Sequence, residues 1–199
     1  MRPGQQIVQY ALAIQLGVSR VPLREALKIL EGEGQVTYVA HRGYFVTELS
    51  LSDLLEVYRI REILETEAVT IAVPQMTTED IERLEETERD VQAAFDASDV
   101  VTMTSANQRF HFALIDACAL PRLVRLIRLL WDATEVYCSV YFSDEDNREA
   151  VAAEHRAVVA AVRAGDSATA LLVLAEHRDH AIVAPVSYTH LTLPTNREV

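Results

Sequence analysis

Residues 17–46 read GVSRVPLREALKILEGEGQVTYVAHRGYFV, a helix followed by a short hairpin. Ser19 stands where an N-cap is needed, since its hydroxyl can accept a bond from an orphan amide of the next turn. Pro22 falls in the first turn, where its missing N–H costs nothing. Leu23, Ala26, Leu27 and Leu30 recur at helical spacing and form an apolar face. Arg20 and Arg24 are four residues apart and share a different face. Gly32 and Gly34 end the helix. Val36 and Tyr38 and, beyond Gly43, Phe45 and Val46 predict a β-hairpin with Arg42-Gly43 at its tip. A helix with two forward arginines beside a basic hairpin suits a DNA major groove and the phosphates that flank it. The plainer alternative is an amphipathic helix with scattered arginines.

Working outward, Arg2-Pro3-Gly4 reads as a turn, and residues 7–16 predict a short helix that completes a helix-turn-helix pair. After a brief linker the chain is helical throughout. Helices are expected near 51–72, 78–97, 100–118, 120–142, 147–164 and 167–183. Six such helices on short loops form an antiparallel bundle. The expected organisation is a winged helix-turn-helix over residues 1–46, an all-helical domain over 50–186, and a tail over 187–199. That tail has no helical period and reads as translated cloning sequence, so His190 is set aside.

Charge divides along the same line. The chain carries a formal −12. Residues 1–46 hold five Lys/Arg against three Asp/Glu, a balance of +2, and the remainder holds 13 against 27, a balance of −14. Basic charge therefore sits where nucleic acid is expected. Cys118 and Cys138 form no metal-ligand motif and read as free thiols of a reducing cytoplasm. No stretch has the length or purity of a membrane span, so a cytoplasmic protein is expected.

Within the bundle, Asn107 and His111 are four apart and project from one helix face. His155 and His177 lie on two further helices, each beside apolar neighbours: Val158 and Val159, then Val173 and Leu174. One amide oxygen and three imidazoles converging from three helices suit a divalent transition metal. From spacing alone, separate histidines each bonded to a carbonyl or carboxylate are the simpler reading. Arg61 on the first bundle helix is costly to bury unpaired. It either closes on a ligand carboxylate or pairs with an internal acid such as Glu65. Arg59 is a weaker candidate than Arg61, and His180 is expected off the metal face. Trp131, Tyr137 and Tyr141 line a pocket or fill the core. Glu154 and Glu176 each precede a histidine and are expected to point away from it, which leaves no general base for an enzyme.

The 17–46 stretch resembles the winged helix of GntR-family bacterial transcription regulators, whose pattern runs Leu-Gly-Val-Ser-Arg-(Thr)-Pro-Val-Arg-Glu-Ala-Leu. Val21 replaces the usual Thr and removes a phosphate-bonding hydroxyl; Leu23 replaces Val. Residues 50–183 resemble the FCD effector domain of the family's FadR branch. The resemblance implies that Asn107, His111, His155 and His177 hold a divalent ion such as zinc, nickel or manganese. Asn in place of the commoner Asp removes a charge and weakens the grip on a hard cation. It implies that Arg61 binds a small carboxylate-bearing metabolite. It also implies that Ser19, Arg20, Pro22, Arg24, Arg42 and Gly43 contact double-stranded operator DNA, and that the protein is a homodimer, most often a repressor, and no enzyme. The alternatives are a metal-dependent helical enzyme and a ligand-binding or dimerisation module that no longer binds DNA. The family carries a helix before the Pro-Gly turn that is not found here. Leu12, Leu16 and Leu27 are therefore expected to keep an uncovered side.

Overall fold

The computed structural model describes the backbone of residues 1 and 3–192, and side chains through residue 182 apart from those of 135, 136, 139 and 140. The expected tail therefore lies partly, from 193 onward, outside the described residues. Ten elements follow in order: α1 (Gln9–Leu16), α2 (Arg20–Gly32), β1 (Val36–Val39), β2 (Gly43–Val46), α3 (Leu51–Ala72), α4 (Thr78–Asp96), α5 (Val100–Ile115), α6 (Pro121–Tyr141), α7 (Glu145–Arg163) and α8 (Ser167–Thr192). They fall into two compact units, Met1–Leu54 and Leu55–Val199. The division lies inside the first turn of α3 rather than in the 47–50 linker.

In the first unit α1 and α2 pack on a two-stranded sheet around Ile7, Ala13, Leu23, Leu27, Val36 and Tyr44. The hairpin pairs Val36 with Val46 and Val39 with Gly43. Its tip is Ala40–Arg42, with His41 at φ 64°, so Gly43 is already the first residue of β2. Gly43 itself has φ 93°, which explains the glycine. The expected Pro-Gly turn leads directly into an extended segment. Gly4 N–H donates to Val46 O (3.0 Å), Val46 N–H to Gln5 O (2.9 Å) and Ile7 N–H to Tyr44 O (2.8 Å). The segment thus lies along β2 like a third strand and buries Ile7.

Two expectations fail here. Ser19 occupies the N-cap position in extended backbone, yet its side chain makes no capping bond. Leu27 is buried, because the hairpin's Val36 and Tyr44 share its cluster. Leu12 is half-buried, whereas Leu16 is 57% exposed.

The second unit is the mostly α, antiparallel bundle expected from the sequence. Helices α4, α5, α7 and α8 start on local caps. Thr77 and Asp80 form a reciprocal capping box on α4. Asp99 accepts from Thr102 N–H on α5, Asp144 from Asp146 N–H on α7, and Asp166 from Thr169 N–H on α8. Each such cap contributes about 1 kcal/mol. Helix α4 packs on α5 and α7, and α8 packs on α6 and α7. Ala94, Ala106, Ala161 and Ala170 are all buried where these helices approach, and larger side chains such as Leu84, Met103, Phe110, Ile127 and Val158 fill the core. Helix α5 ends at Ile115 and passes into a tighter turn, Asp116–Cys118, closed by Ala119 at φ 56°. Helix α8 runs on to Thr192, beyond the expected end at 183. Among the described residues no helix is long and apolar enough to cross a membrane.

Candidate metal and anion site

Each candidate ligand sits in the buried stripe of its own helix. On α5, Asn107 and His111 share a side with Phe110 and Leu114; on α7, His155 lies in register with Val151, Val158 and Val162; on α8, His177 follows Ala170 and Leu174. Packing these stripes together drives the polar residues inward with the apolar ones. The three imidazole rings form a nearly equilateral triangle, with centroids 5.2 Å (His111–His155), 5.0 Å (His111–His177) and 5.0 Å (His155–His177) apart. One ring nitrogen from each lies within 4.8 Å of the other two. His111 Nε2 and His177 Nε2 are 3.1 Å apart.

The hydrogen bonding of this cluster does not close on itself. His155 is fully buried, stacked on Phe110 at 3.9 Å, and neither of its ring nitrogens has a partner. Asn107 Oδ1 is buried without a partner too. Orphaned buried polar atoms cost about 1–3 kcal/mol each, so these lone pairs fit an electrophile better than they fit a packed core. Burial pushes the pKa of His111 and of His155 well below the ordinary imidazole range, and the neighbouring His177 adds to it. The rings are therefore neutral at pH 7, the form that binds a metal. The residues present thus fit a divalent ion.

Glu154 adds a contact that the sequence alone does not reveal. It makes no bond to His155 but reaches across from α7: Oε2 accepts from His177 Nδ1 and Oε1 from His180 Nδ1, both at 2.7 Å. Burial raises its pKa, but the bonds from His177 and then His180 outweigh that and hold it down. A carboxylate on Nδ1–H leaves the Nε2 lone pair facing the triangle. His180 itself is exposed, off the site. Glu154→Gln, which can accept from only one of the two rings, should weaken zinc binding by about 10–100-fold with little change in thermal stability. Competition against a chromophoric chelator measures it, and unchanged affinity would remove Glu154 from the account.

Beside the triangle lies a buried charge cluster. Arg61 Nε donates to Glu65 Oε1 (2.9 Å) and Nη1 to Thr134 Oγ1 (2.9 Å), with the guanidinium 3.9 Å from the Trp131 ring centroid. Of the two readings for Arg61, the structure contains the pairing with Glu65. Trp131 Nε1–H donates to Glu65 Oε1 at 2.7 Å, and Arg178 Nη2 donates to Oε2 at 3.2 Å. Burial raises the Glu65 pKa, but the charges of Arg61 and Arg178 win and hold it below the usual carboxylate range. Arg178 was not anticipated, although its place four residues after Leu174, on the buried stripe of α8, was a usable signal. A small cavity joins this cluster to the metal triangle, with Asn107, His111, Trp131, Tyr141 and His177 among its walls. Tyr137 is buried but does not line it.

In the first unit Arg20, Arg24 and Lys28, each four apart on α2, line a recess with Tyr38, Gly43 and Tyr44 of the hairpin. Lys28 extends the basic face beyond the two arginines singled out in the sequence, and it pairs with Glu25 at 3.1 Å. Ser19 and Pro22 are exposed at the start of the same helix. Arg42 stands apart from the recess, its guanidinium 5.1 Å over the Phe45 ring and its carbonyl accepting from Gln6 Nε2 at 2.6 Å.

Comparison with known proteins agrees with this division. The family of bacterial regulatory proteins, gntR family, matches residues 1–46, and the FCD domain matches residues 56–180. The chain is 28% identical over 183 residues to the HTH-type transcriptional regulator YdhC of Bacillus subtilis, covering 90% of this chain and 80% of that protein. It is 35% identical over 129 residues to the Nta operon transcriptional regulator of Aminobacter aminovorans, covering 64% of this chain and 60% of the relative. The solved structure of E. coli McbR/YncC superposes with a TM-score of 0.87 at 27% identity, over 96% of this chain and 91% of that one. The gntR family is one of bacterial regulatory proteins, and these relatives are named as transcriptional regulators. The chain belongs to the GntR family of bacterial regulatory proteins, its helical bundle being an FCD domain.

Proposed function

We propose that this regulator, of the FadR branch, senses a small carboxylate-bearing metabolite through a divalent metal ion and acts as a cytoplasmic repressor. Asn107, His111, His155 and His177 hold the ion; zinc, nickel and manganese all accept such donors. The bound ion supplies concentrated positive charge and open coordination positions to an anion. Arg61 supplies the second attachment point, a planar guanidinium suited to a carboxylate. The observation that carries this reading is the triangle of three buried imidazoles, with both His155 nitrogens and Asn107 Oδ1 lacking partners.

A homodimer binds a palindromic double-stranded operator, with residues 1–46 as the reading head and residues 50–186 as the effector-binding and dimerising domain. Ser19, Arg20, Pro22 and Arg24 enter or border the major groove, and Arg42 and Gly43 approach from the hairpin. The metabolite shifts the protein between two packings only by as much as its affinity differs between them. The test is to strip the protein with a chelator, reload it with zinc, and measure retention of a DNA fragment selected from a random pool, with and without a panel of small carboxylates. Loading of one ion per chain and a carboxylate-dependent change in retention are expected. Retention indifferent to both metal and carboxylates would refute the proposal.

A further inference from the structure

We infer that Glu65 is an internal stand-in for the effector's carboxylate, and that Arg178 is the second arm of the anion clamp that Glu65 fills. The inference rests on the carboxylate-sensing reading above and specifies how the anion enters.

One carboxylate serves two guanidiniums here. Glu65 Oε1 takes Arg61 Nε and the Trp131 indole N–H, and Oε2 takes Arg178 Nη2. All of these side chains are buried, and Arg178 Nε has no hydrogen-bond partner. Two arginines against one acid leave a surplus of positive charge in a poorly solvated place, where an incoming anion gains most.

Space favours the exchange. The cavity on the Asn107 and Trp131 side has a volume of about 20 Å³, and a second on the Val69 and Leu171 side about 10 Å³. Both are small. Glu65, His111 and Arg178 line both cavities, so the Glu65–Arg178 pair is part of the wall between them. An anion that displaces Glu65 recovers the same charge-assisted bonds and merges the two spaces beside His111.

The clamp is unequal in rigidity. Arg61 is held from two other sides, by the Thr134 hydroxyl at 2.9 Å and the Trp131 ring at 3.9 Å, so it stays when Glu65 leaves. Glu65 on α3 and Arg178 on α8 are the parts that move. Their separation unties those two helices, which turns occupancy of the site into a change in packing.

Trp131 is the chain's single tryptophan, and its indole proton reports directly on Glu65. The experiment titrates the zinc-loaded full chain with acetate, the smallest carboxylate, and follows the indole ¹⁵N–¹H resonance. In the wild type the resonance should move as acetate saturates. In Glu65→Gln, which keeps the side chain's size but removes the competing charge, the resonance should start displaced and acetate should bind about ten- to a hundred-fold more tightly. Arg178→Gln should lose about ten-fold or more. Two results would overturn the inference while leaving carboxylate sensing intact: an indole resonance that stays fixed while acetate saturates the wild type, or wild-type binding that Glu65→Gln does not tighten. Absence of acetate binding by the wild type and by Glu65→Gln would overturn both. The wild-type titration decides the matter even if the Glu65→Gln chain fails to fold.

Discussion

His155→Leu should abolish tight zinc binding and at the same time make the metal-free bundle more stable. His155 is fully buried, carries two unpartnered nitrogens and stacks on Phe110 at 3.9 Å. Leucine is apolar, of similar volume, and leaves nothing unsatisfied against Phe110, Val151 and Val158. Removing the orphaned ring should add about 1–3 kcal/mol to metal-free stability, the usual cost of an unpaired buried polar group. Metal affinity should fall by more than the about 10–100-fold that loss of an outer-shell partner costs. Stability paid out for function in this way is common at binding sites. The opposite signs separate the readings: a structural histidine would destabilise the chain when removed, with metal content unaltered. Denaturant unfolding after chelation, paired with a zinc titration, measures both.

Arg24→Ala should abolish operator binding and leave metal content unchanged. Arg24 is exposed on α2 between Arg20 and Lys28, facing the recess bordered by the hairpin. A bidentate base contact contributes about 1–3 kcal/mol. A dimer loses it at both half-sites, so affinity should drop from roughly thirty-fold to more than ten-thousand-fold. The candidate metal ligands lie in the other compact unit, between residues 107 and 177, and should load as before. Fluorescence anisotropy on DNA selected by the wild type from a random pool measures the loss. Unaltered affinity would mean that α2 is not the reading helix.

Long periodic segments were the most legible part of the chain. Helix α3 spans Leu51–Ala72 in the structure, the same residues its sequence pattern predicts. The i,i+4 spacing of Asn107 and His111 placed both on one buried face, because helix geometry dictates it. Three features were not legible, each for a physical reason. The strand-like segment ahead of α1 is held by backbone bonds to β2, which leave no side-chain period in four residues. Glu154 stands beside a candidate ligand, His155, on its own helix but bonds to another, His177, on the next. Only the packing of α7 on α8 determines that it meets His177. Arg178 reads as an ordinary surface charge until Glu65, 113 residues earlier, is seen to partner it. Ser19 shows the converse: the right residue at the right backbone position, with no capping bond made. Glu65 with Arg178 and Glu154 with His177 are therefore legible only in pairs, and the pairing is a tertiary property.

The most direct test of a three-histidine metal centre is X-ray absorption at the zinc edge of the full chain loaded with one equivalent of zinc. The account predicts scattering from three imidazoles, with oxygen completing the shell, at about 2.0–2.1 Å. Sulfur scattering at about 2.3 Å from Cys118 or Cys138, or fewer than two imidazoles, would contradict it.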